Sequence, residues 1–160
     1  MTYRIQDKNA ISGMYKQMTQ VEHYIHHETN LDEKLIALVK MRASQINGCA
    51  YCMAMHTEEG LKAGDRVDRY ALLSAWEEAE DWFTPRERAA LMWTETLTKI
   101  ATDKVSDEMY AKVREEFNEK DLGDLTLAII AINGWNRIAI PFHMPPDHFE
   151  VPVAEGATAD

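Results

Sequence analysis

The chain has few cysteines, few prolines and no long apolar run, and each shortage excludes a class of protein. Its 160 residues include two cysteines and five prolines, and no proline occurs before Pro85. Two cysteines three residues apart cannot hold a fold together, so a disulfide-rich secreted scaffold is excluded. The longest largely apolar stretch, residues 125–132, is well short of the roughly 18 residues that a membrane-spanning helix needs. We therefore expect no membrane partner.

Positive charge is also scarce. The chain has 17 Lys and Arg against 27 Asp and Glu, which gives a formal net charge of −10 at pH 7. Binding to phosphate backbones needs clustered Lys and Arg, so we expect no nucleic-acid partner. The N-terminal residues lack the apolar core of a signal peptide, and a cysteine pair that cycles between thiol and disulfide suits a reducing compartment. The expected location is the cytoplasm.

What the sequence does contain is helical periodicity, with no sustained alternation of apolar and polar residues. The predicted fold class is all-α, with about seven helices and a Cys-x-x-Cys motif at the start of one of them. A single domain is expected over residues 1–140, followed by an extended, Pro-rich tail over 141–160. The predicted helices cover about 10–28, a segment capped by Asn30 and ending near Gly48, 49–63, a segment capped by Asp65, 85–101 after a Thr84 capping box, a segment capped by Ser106, and 122–140 before Pro141.

The last predicted helix is apolar on more than one face, whereas a surface helix needs only one apolar stripe. Leu125, Ile129 and Ile132 share one face, and Leu127, Ile130 and Ile138 lie on others. Such a helix is either central in a small bundle or part of a subunit interface. We therefore expect a homo-oligomer.

Both cysteines lie in one short segment that also carries a histidine. Cys49, Cys52 and His56 are spaced so that an α-helix brings them within roughly 60° of one another. The i,i+3 spacing puts the two cysteine Cα atoms roughly 5 Å apart, which is within reach of a disulfide. The segment therefore predicts a redox-active dithiol with a base beside it.

Local effects favour different cysteines as the nucleophile. A free thiol is only about 3% ionised at pH 7, and the thiolate is the reactive form. The positive end of the helix dipole favours ionisation of Cys49, whereas His56, one turn further on, favours ionisation of Cys52. The residues alone leave open which thiol attacks.

Other readings of the motif are a zinc site and a thioredoxin-type site. Structural zinc needs four protein ligands, and only Cys49, Cys52 and His56 are local, so a fourth would have to come from the first helix. There, His23, His26 and His27 are better explained as a solvated helix end, and His143 and His148 belong to no recognisable motif. A thioredoxin-type motif follows a strand, which this sequence does not predict. We expect no metal and no cofactor.

The residues around the motif resemble the alkylhydroperoxidase D (AhpD)-like proteins of the carboxymuconolactone decarboxylase superfamily. The resemblance is carried by residues 38–56, continues through 87–93 and 125–137, and spans roughly residues 10–140. It implies an all-α protein that forms trimers or hexamers and reduces peroxides with its cysteine pair, which an external dithiol or lipoyl-type reductant restores. By the resemblance, Cys52 is the peroxidatic thiol, Cys49 the resolving thiol and His56 a member of the proton relay.

The sequence departs from the family pattern at two relay positions. The glutamate that redox members usually carry twelve residues before the first cysteine is Ala37 here, and a relay histidine between the cysteines is Tyr51. Glu33, one turn before Ala37, is a candidate replacement. The departure motivates a second hypothesis, a non-redox or weakly active helical oligomer that binds a small ligand. A third is the decarboxylase-like lyase activity of the superfamily, although those members do not need a cysteine pair.

Overall fold

The computed structural model describes residues 2–146, and this part of the chain contains helices and no strand. The α-helices are α1 (Ser12–His27), α2 (Glu33–Asn47), α3 (Ala50–Lys62), α4 (Val67–Leu72), α5 (Pro85–Thr98), α6 (Asp107–Glu116) and α7 (Glu119–Phe142). Three short 3₁₀ turns lie at Lys8–Ile11, Leu73–Ala75 and Glu80–Trp82. The predicted all-α fold with about seven helices is confirmed.

Helices α2 and α7 form the centre of the bundle. α2 packs against α3, α5 and α7, and α7 also contacts α1, α3, α5 and α6. The main core includes Ile25 of α1, Val39 of α2 and Ile129 of α7, each no more than 1% exposed. A smaller core cluster joins Ala43 of α2 and Ile132 of α7 to the two cysteines at the start of α3. The central helices therefore bury the cysteine pair rather than leave it at the surface.

Several helix starts follow the predicted capping residues. Thr84 and Glu87 form the complete capping box of α5, with Pro85 in the first turn. The hydroxyl of Ser106 accepts a hydrogen bond from the Met109 N–H at the start of α6. At the other end of α2, Gly48 adopts the left-handed conformation expected of it, with φ of 71°.

Three other predicted helix starts differ from those in the structure. α2 is capped by Asp32, whose carboxylate accepts from the Lys34 N–H, rather than by Asn30. α4 has Arg66 as its N-cap residue, without a side-chain cap, because the Asp65 carboxylate instead pairs with Arg69 at 2.6 Å. α7 begins at Glu119 because Asn118 caps it by accepting from the Asp121 N–H.

Pro141 does not end the last helix, contrary to the prediction. Helix α7 continues to Phe142, and His143 then ends it in the left-handed conformation. Proline removes one helical N–H, but its fixed φ is compatible with the final turn. Arg4 also binds this end of the helix, since its N–H donates to the Phe142 carbonyl at 2.9 Å and its guanidinium to the Pro141 carbonyl at 3.0 Å. The rest of the predicted tail from residue 147, including His148, lies outside the described residues, so the domain division stays a prediction.

Helix α7 is long and apolar enough, by length and composition alone, to cross a membrane. These two properties are only weak evidence for a membrane span, because the core helix of a globular bundle can have the same length and composition. Here Ala128, Ile129 and Ile132 of α7 are buried in the fold.

Candidate redox site

The turn between α2 and α3 places both cysteines at the start of a helix. Gly48 reverses the chain after α2, and Cys49 follows in an extended conformation as the N-cap residue of α3. The Cys49 N–H donates to the Ser44 carbonyl at 3.0 Å, and the Cys52 N–H points at the Cys49 sulfur at 3.3 Å. The Cys49 sulfur therefore occupies the position of a capping acceptor, where the helix dipole favours negative charge.

Cys49 and Cys52 form a disulfide, with their Cα atoms 5.3 Å apart. Each residue is only 1% exposed. The side chains around them are those of the third core cluster, including Ile132, with Trp135 and Met144 of the C-terminal region packed against it. The structure thus holds the pair in its oxidised form, in an apolar environment.

His56 lies one turn after Cys52 and is buried, with 2% of the residue exposed. Its Nδ1 lies 2.7 Å from the Glu59 carboxylate, one turn further along α3. Within residues 2–146, its Nε2 has no hydrogen-bond partner. Burial lowers the pKa of the His56 imidazole, and Glu59 only partly opposes this effect. A neutral imidazole that donates from Nδ1 to Glu59 carries its lone pair on Nε2, where it can accept a proton.

Glu59 connects this buried imidazole to solvent, because its own side chain is 43% exposed. Partial burial acts to raise the pKa of the Glu59 carboxyl. The hydrogen bond from His56 and the positive charge of Lys40 outweigh that effect, so the net pKa is lowered. Glu59 is therefore a carboxylate at neutral pH and an acceptor for the histidine.

A buried lysine lies on the neighbouring helix. Lys40 of α2 is 1% exposed and forms an ion pair with Glu22 of α1. Glu22 also accepts from the indole N–H of Trp135 at 2.9 Å. Burial acts to raise the pKa of Glu22, but hydrogen bonds from His26, Lys40 and Trp135 and the lysine charge lower it to about 2. The Lys40 charge in turn helps to hold the pKa of His56 down.

Glu33, the candidate replacement for the relay carboxylate, pairs with His26 of α1. Its carboxylate hydrogen-bonds to Nδ1 of His26 at 2.8 Å, and the other ring nitrogen of His26 lies 3.2 Å from the Lys40 ammonium. Hydrogen bonding to Glu22 raises the pKa of His26, and Glu33 adds to that effect. His26 is thus part of the charged network around Lys40 and not only a solvated helix end. His23 and His27 are exposed, and their rings contact each other.

Ala37 is 2% exposed and lies beside a cavity of about 400 Å³. His26, Glu33 and Glu59 line the same cavity. Tyr51, the other departure from the family pattern, is partly buried and packs against the cysteine cluster. Among residues 2–146, no group of three or more His, Cys, Asp or Glu could hold a metal ion.

No sequence-based prediction placed Glu59, Glu22 or Lys40 at this site. The sequence does contain a signal for Glu59, because His56 and Glu59 are at positions i and i+3 of one helix and so share a face. Lys40 was visible as a charge within the apolar pattern of α2, but its partner Glu22 is 18 residues away on another helix. Local spacing could not have identified that pair.

A larger apolar cavity of about 700 Å³ lies near the cysteine cluster. Tyr15 and Met144 line it, and the Tyr15 hydroxyl donates to the Met144 sulfur at 3.5 Å. Met144 also packs against the cysteine cluster, and the Tyr15 ring contacts Trp135 with centroids 5.5 Å apart.

Comparisons with known proteins agree with this fold. The family model described as the carboxymuconolactone decarboxylase family matches residues 13–96. An uncharacterized protein of Bacillus subtilis, YdfG, is 42% identical over 131 residues, which cover 82% of this chain and 87% of that protein.

Two crystal structures share the architecture. One is an Agrobacterium tumefaciens protein of unknown function, described as a candidate antioxidant defence protein AhpD. It has a TM-score of 0.86 and 35% identity, and the match covers 92% of this chain and all of that one. The other, an uncharacterized peroxidase-related protein from Silicibacter sp., has a TM-score of 0.74 over 82% of this chain and 69% of that one. Its 20% identity supports the fold alone. The chain belongs to the carboxymuconolactone decarboxylase family and is AhpD-like within it.

Proposed function

We propose that the protein is a thiol-dependent peroxidase that reduces hydroperoxides with the Cys49–Cys52 pair. The observation that carries the proposal is the placement of the disulfide one turn before a buried histidine whose Nε2 lacks a partner among the described residues. In the reduced protein, the Cys52 thiol supplies the donor that Nε2 lacks. Proton transfer from Cys52 to His56 then gives the nucleophilic thiolate.

Each cysteine has one role in the proposed cycle. The Cys52 thiolate attacks one oxygen of the peroxide, so that an S–O bond forms, the O–O bond breaks and the departing alkoxide takes a proton from His56. Cys49 then attacks the resulting sulfenic acid, which forms the disulfide and releases water. The substrate is thereby reduced to an alcohol and the two thiols are oxidised. The capping position of Cys49 supports its resolving role, because the Cys52 N–H and the helix dipole favour its thiolate.

An external dithiol completes the cycle by thiol–disulfide exchange, and a lipoyl-type reductant has suitable chemistry. Such a dithiol becomes oxidised as the Cys49–Cys52 disulfide is reduced. The cytoplasm is the proposed location because its thiol pools regenerate dithiols of this kind.

The test is peroxide consumption by the full chain with excess dithiothreitol. The wild type is expected to consume a hydroperoxide continuously, and Cys52→Ser is expected to lose turnover. Cys49→Ser keeps the attacking thiol, so it should give a Cys52 sulfenic acid that a dimedone probe labels after one equivalent of peroxide. The proposal is overturned if the wild type shows neither turnover nor a Cys49–Cys52 disulfide after peroxide treatment.

The apolar cavity near Tyr15 favours a second candidate function, the binding of a small apolar ligand without redox chemistry. A site of about 700 Å³ with mostly apolar walls is typical of small-molecule binding. The two candidates differ in the wild-type protein. The ligand-binding candidate alone predicts that a fluorescent apolar probe binds while no hydroperoxide is consumed, and that binding persists in a variant with both cysteines changed to serine. The superfamily's lyase activity has no residue assigned to it in this site, and the same variant would retain that activity too.

A further inference from the structure

We propose that Glu59 is the positioning residue of this site, which orients His56 and connects it to solvent. The proposal rests on the proposed peroxidase function for its biological meaning, but its geometry is independent of any substrate. Glu59 supplies from α3 itself the carboxylate that Ala37 does not supply from α2. It is a positioning residue and not a catalytic one, because it acts through the hydrogen bond to His56.

Glu59 fixes the orientation and the tautomer of the His56 ring. The bond between His56 Nδ1 and the Glu59 carboxylate is 2.7 Å long, and the two residues are one turn apart on the same helix. A carboxylate can only accept, so Nδ1 must carry the proton and Nε2 must carry the lone pair. The general base therefore has the tautomer that it needs before the substrate arrives.

Glu59 also gives the buried His56 a route for proton exchange with solvent. His56 has a side chain that is only 2% exposed, whereas the Glu59 side chain is 43% exposed. Each turnover moves a proton through His56, and a fully buried imidazole exchanges protons slowly without a polar neighbour that reaches solvent. Glu59 is such a neighbour, and it borders the cavity beside Ala37.

The charged groups around the pair come from three helices. Glu59 itself lies on α3, Lys40 on α2 and Glu22 on α1, and their charges all act on His56. His26 of α1 and Lys40 also act on Glu59. Lys40 and Glu22 neutralise each other as an ion pair. Glu59 is therefore the one carboxylate with a direct hydrogen bond to His56 among the described residues.

Removing the Glu59 charge changes the pKa of His56 in a predictable direction. Glu59 raises the pKa of His56 against the effect of burial, so Glu59→Gln lowers the basicity of the imidazole further. A weaker base stabilises the Cys52 thiolate less, and the pH at which Cys52 is half ionised moves upward. We expect a shift of about one pH unit, which corresponds to about tenfold slower alkylation at pH 7.

The experiment measures the rate of Cys52 alkylation by iodoacetamide against pH, in reduced full-length protein carrying Cys49→Ser. Glu59→Gln and Glu59→Asp are compared with Glu58→Gln. Glu58 is a matched control because it is the adjacent residue on α3 and pairs with Lys62 at 2.6 Å instead of with His56. The expected result is an upward shift for Glu59→Gln, a smaller one for Glu59→Asp and none for Glu58→Gln.

A purely structural role for Glu59 would lower stability without moving the midpoint of the profile, and that outcome overturns the proposal. Nitrogen NMR of the unchanged protein is a second test, because it reports the tautomer of His56 without any variant. The Nδ1–H tautomer is expected, and a dominant Nε2–H tautomer also overturns the proposal. Alkylation does not involve peroxide. A protein that fails to turn over peroxide but shows the shift therefore refutes the peroxidase function and leaves the role of Glu59 intact.

Discussion

Lys40 shows how a single charged residue can be accommodated in the core of this protein. An unpaired ammonium at 1% exposure would be very costly, but Lys40 is paired with Glu22, which also bonds to Trp135. Removing one partner of a buried pair costs more than removing both, because the remaining charge is left uncompensated. The pair therefore fixes α1, α2 and α7 in one relative arrangement next to His56.

The Glu22 carboxyl should make stability depend on pH in acid. Its pKa is about 2 in the folded protein, against an ordinary glutamate value of 4.5. The unfolded chain therefore binds more protons between these values, and stability falls as pH drops from about 4.5 to 2. The stabilisation that is present above pH 4.5 and lost by pH 2 is about 3 kcal/mol.

Urea unfolding at several pH values checks this prediction by comparing the wild type with Glu22→Gln. The variant is expected to be less stable at neutral pH, and the difference should shrink as pH falls through the window. Glu58→Gln serves as a surface control and should follow the wild-type curve. Parallel curves for the wild type and Glu22→Gln would contradict the assignment.

At the scale of elements, the turn between α2 and α3 controls the position of the cysteine pair. Gly48 has φ of 71°, and an added Cβ there would meet no atom within 4 Å. Any cost of Gly48→Ala therefore comes from the left-handed backbone alone. We expect a loss of about 1 kcal/mol in the free energy of unfolding, together with a change in the reactivity of Cys49, which immediately follows the turn.

Gly123 is the matched control for this prediction. It also has open space at its Cβ position, but it lies inside helix α7 and is exposed. Gly123→Ala should stabilise the protein by up to about 1 kcal/mol, because alanine has the higher helix propensity. Thermal unfolding of the two variants measures the contrast, and equal effects of the two substitutions would refute the backbone argument.

The sequence predicted most of the elements because their signals are local. Thr84, Ser106 and Gly48 each act on backbone groups within a few residues, so their patterns are visible in the sequence. The prediction of Asn30 as the N-cap of α2 is wrong because Leu31, which is 8% exposed, packs into the core before α2 begins. A burial of that kind depends on the other helices, and it moved the cap to Asp32.

The residues of the candidate site likewise include some that local spacing predicts and others that depend on how the helices pack. The disulfide distance between Cys49 and Cys52 followed from helical spacing, and the structure agrees with it. The carboxylate at His56 is indicated by its i,i+3 spacing, whereas the family pattern indicates position 37, which is Ala37, and the nearby Glu33. Glu33 pairs with His26 because α1 ends beside the start of α2, which no local pattern encodes.

At the scale of the whole molecule, α7 is the helix that touches most of the others while leaving apolar side chains at the surface. It contacts α1, α2, α3, α5 and α6. Nevertheless Ile130 is 61% exposed and Ile140 is 41% exposed. Large apolar side chains left exposed on a helix that also forms the core are typical of a subunit interface, and so they support the expectation of a homo-oligomer.

We expect a charge on the exposed face of α7 to disrupt that assembly. If α7 contributes to an interface between copies, the Ile130→Lys variant places a charge in it and should shift the protein toward the 18.4 kDa monomer. Val67→Lys is the control, because Val67 is 42% exposed and lies on α4, at another part of the surface. Sedimentation velocity at micromolar concentration measures both variants and the wild type. A wild-type oligomer that Ile130→Lys leaves intact would assign the interface to another surface, and a monomeric wild type would refute the homo-oligomer itself.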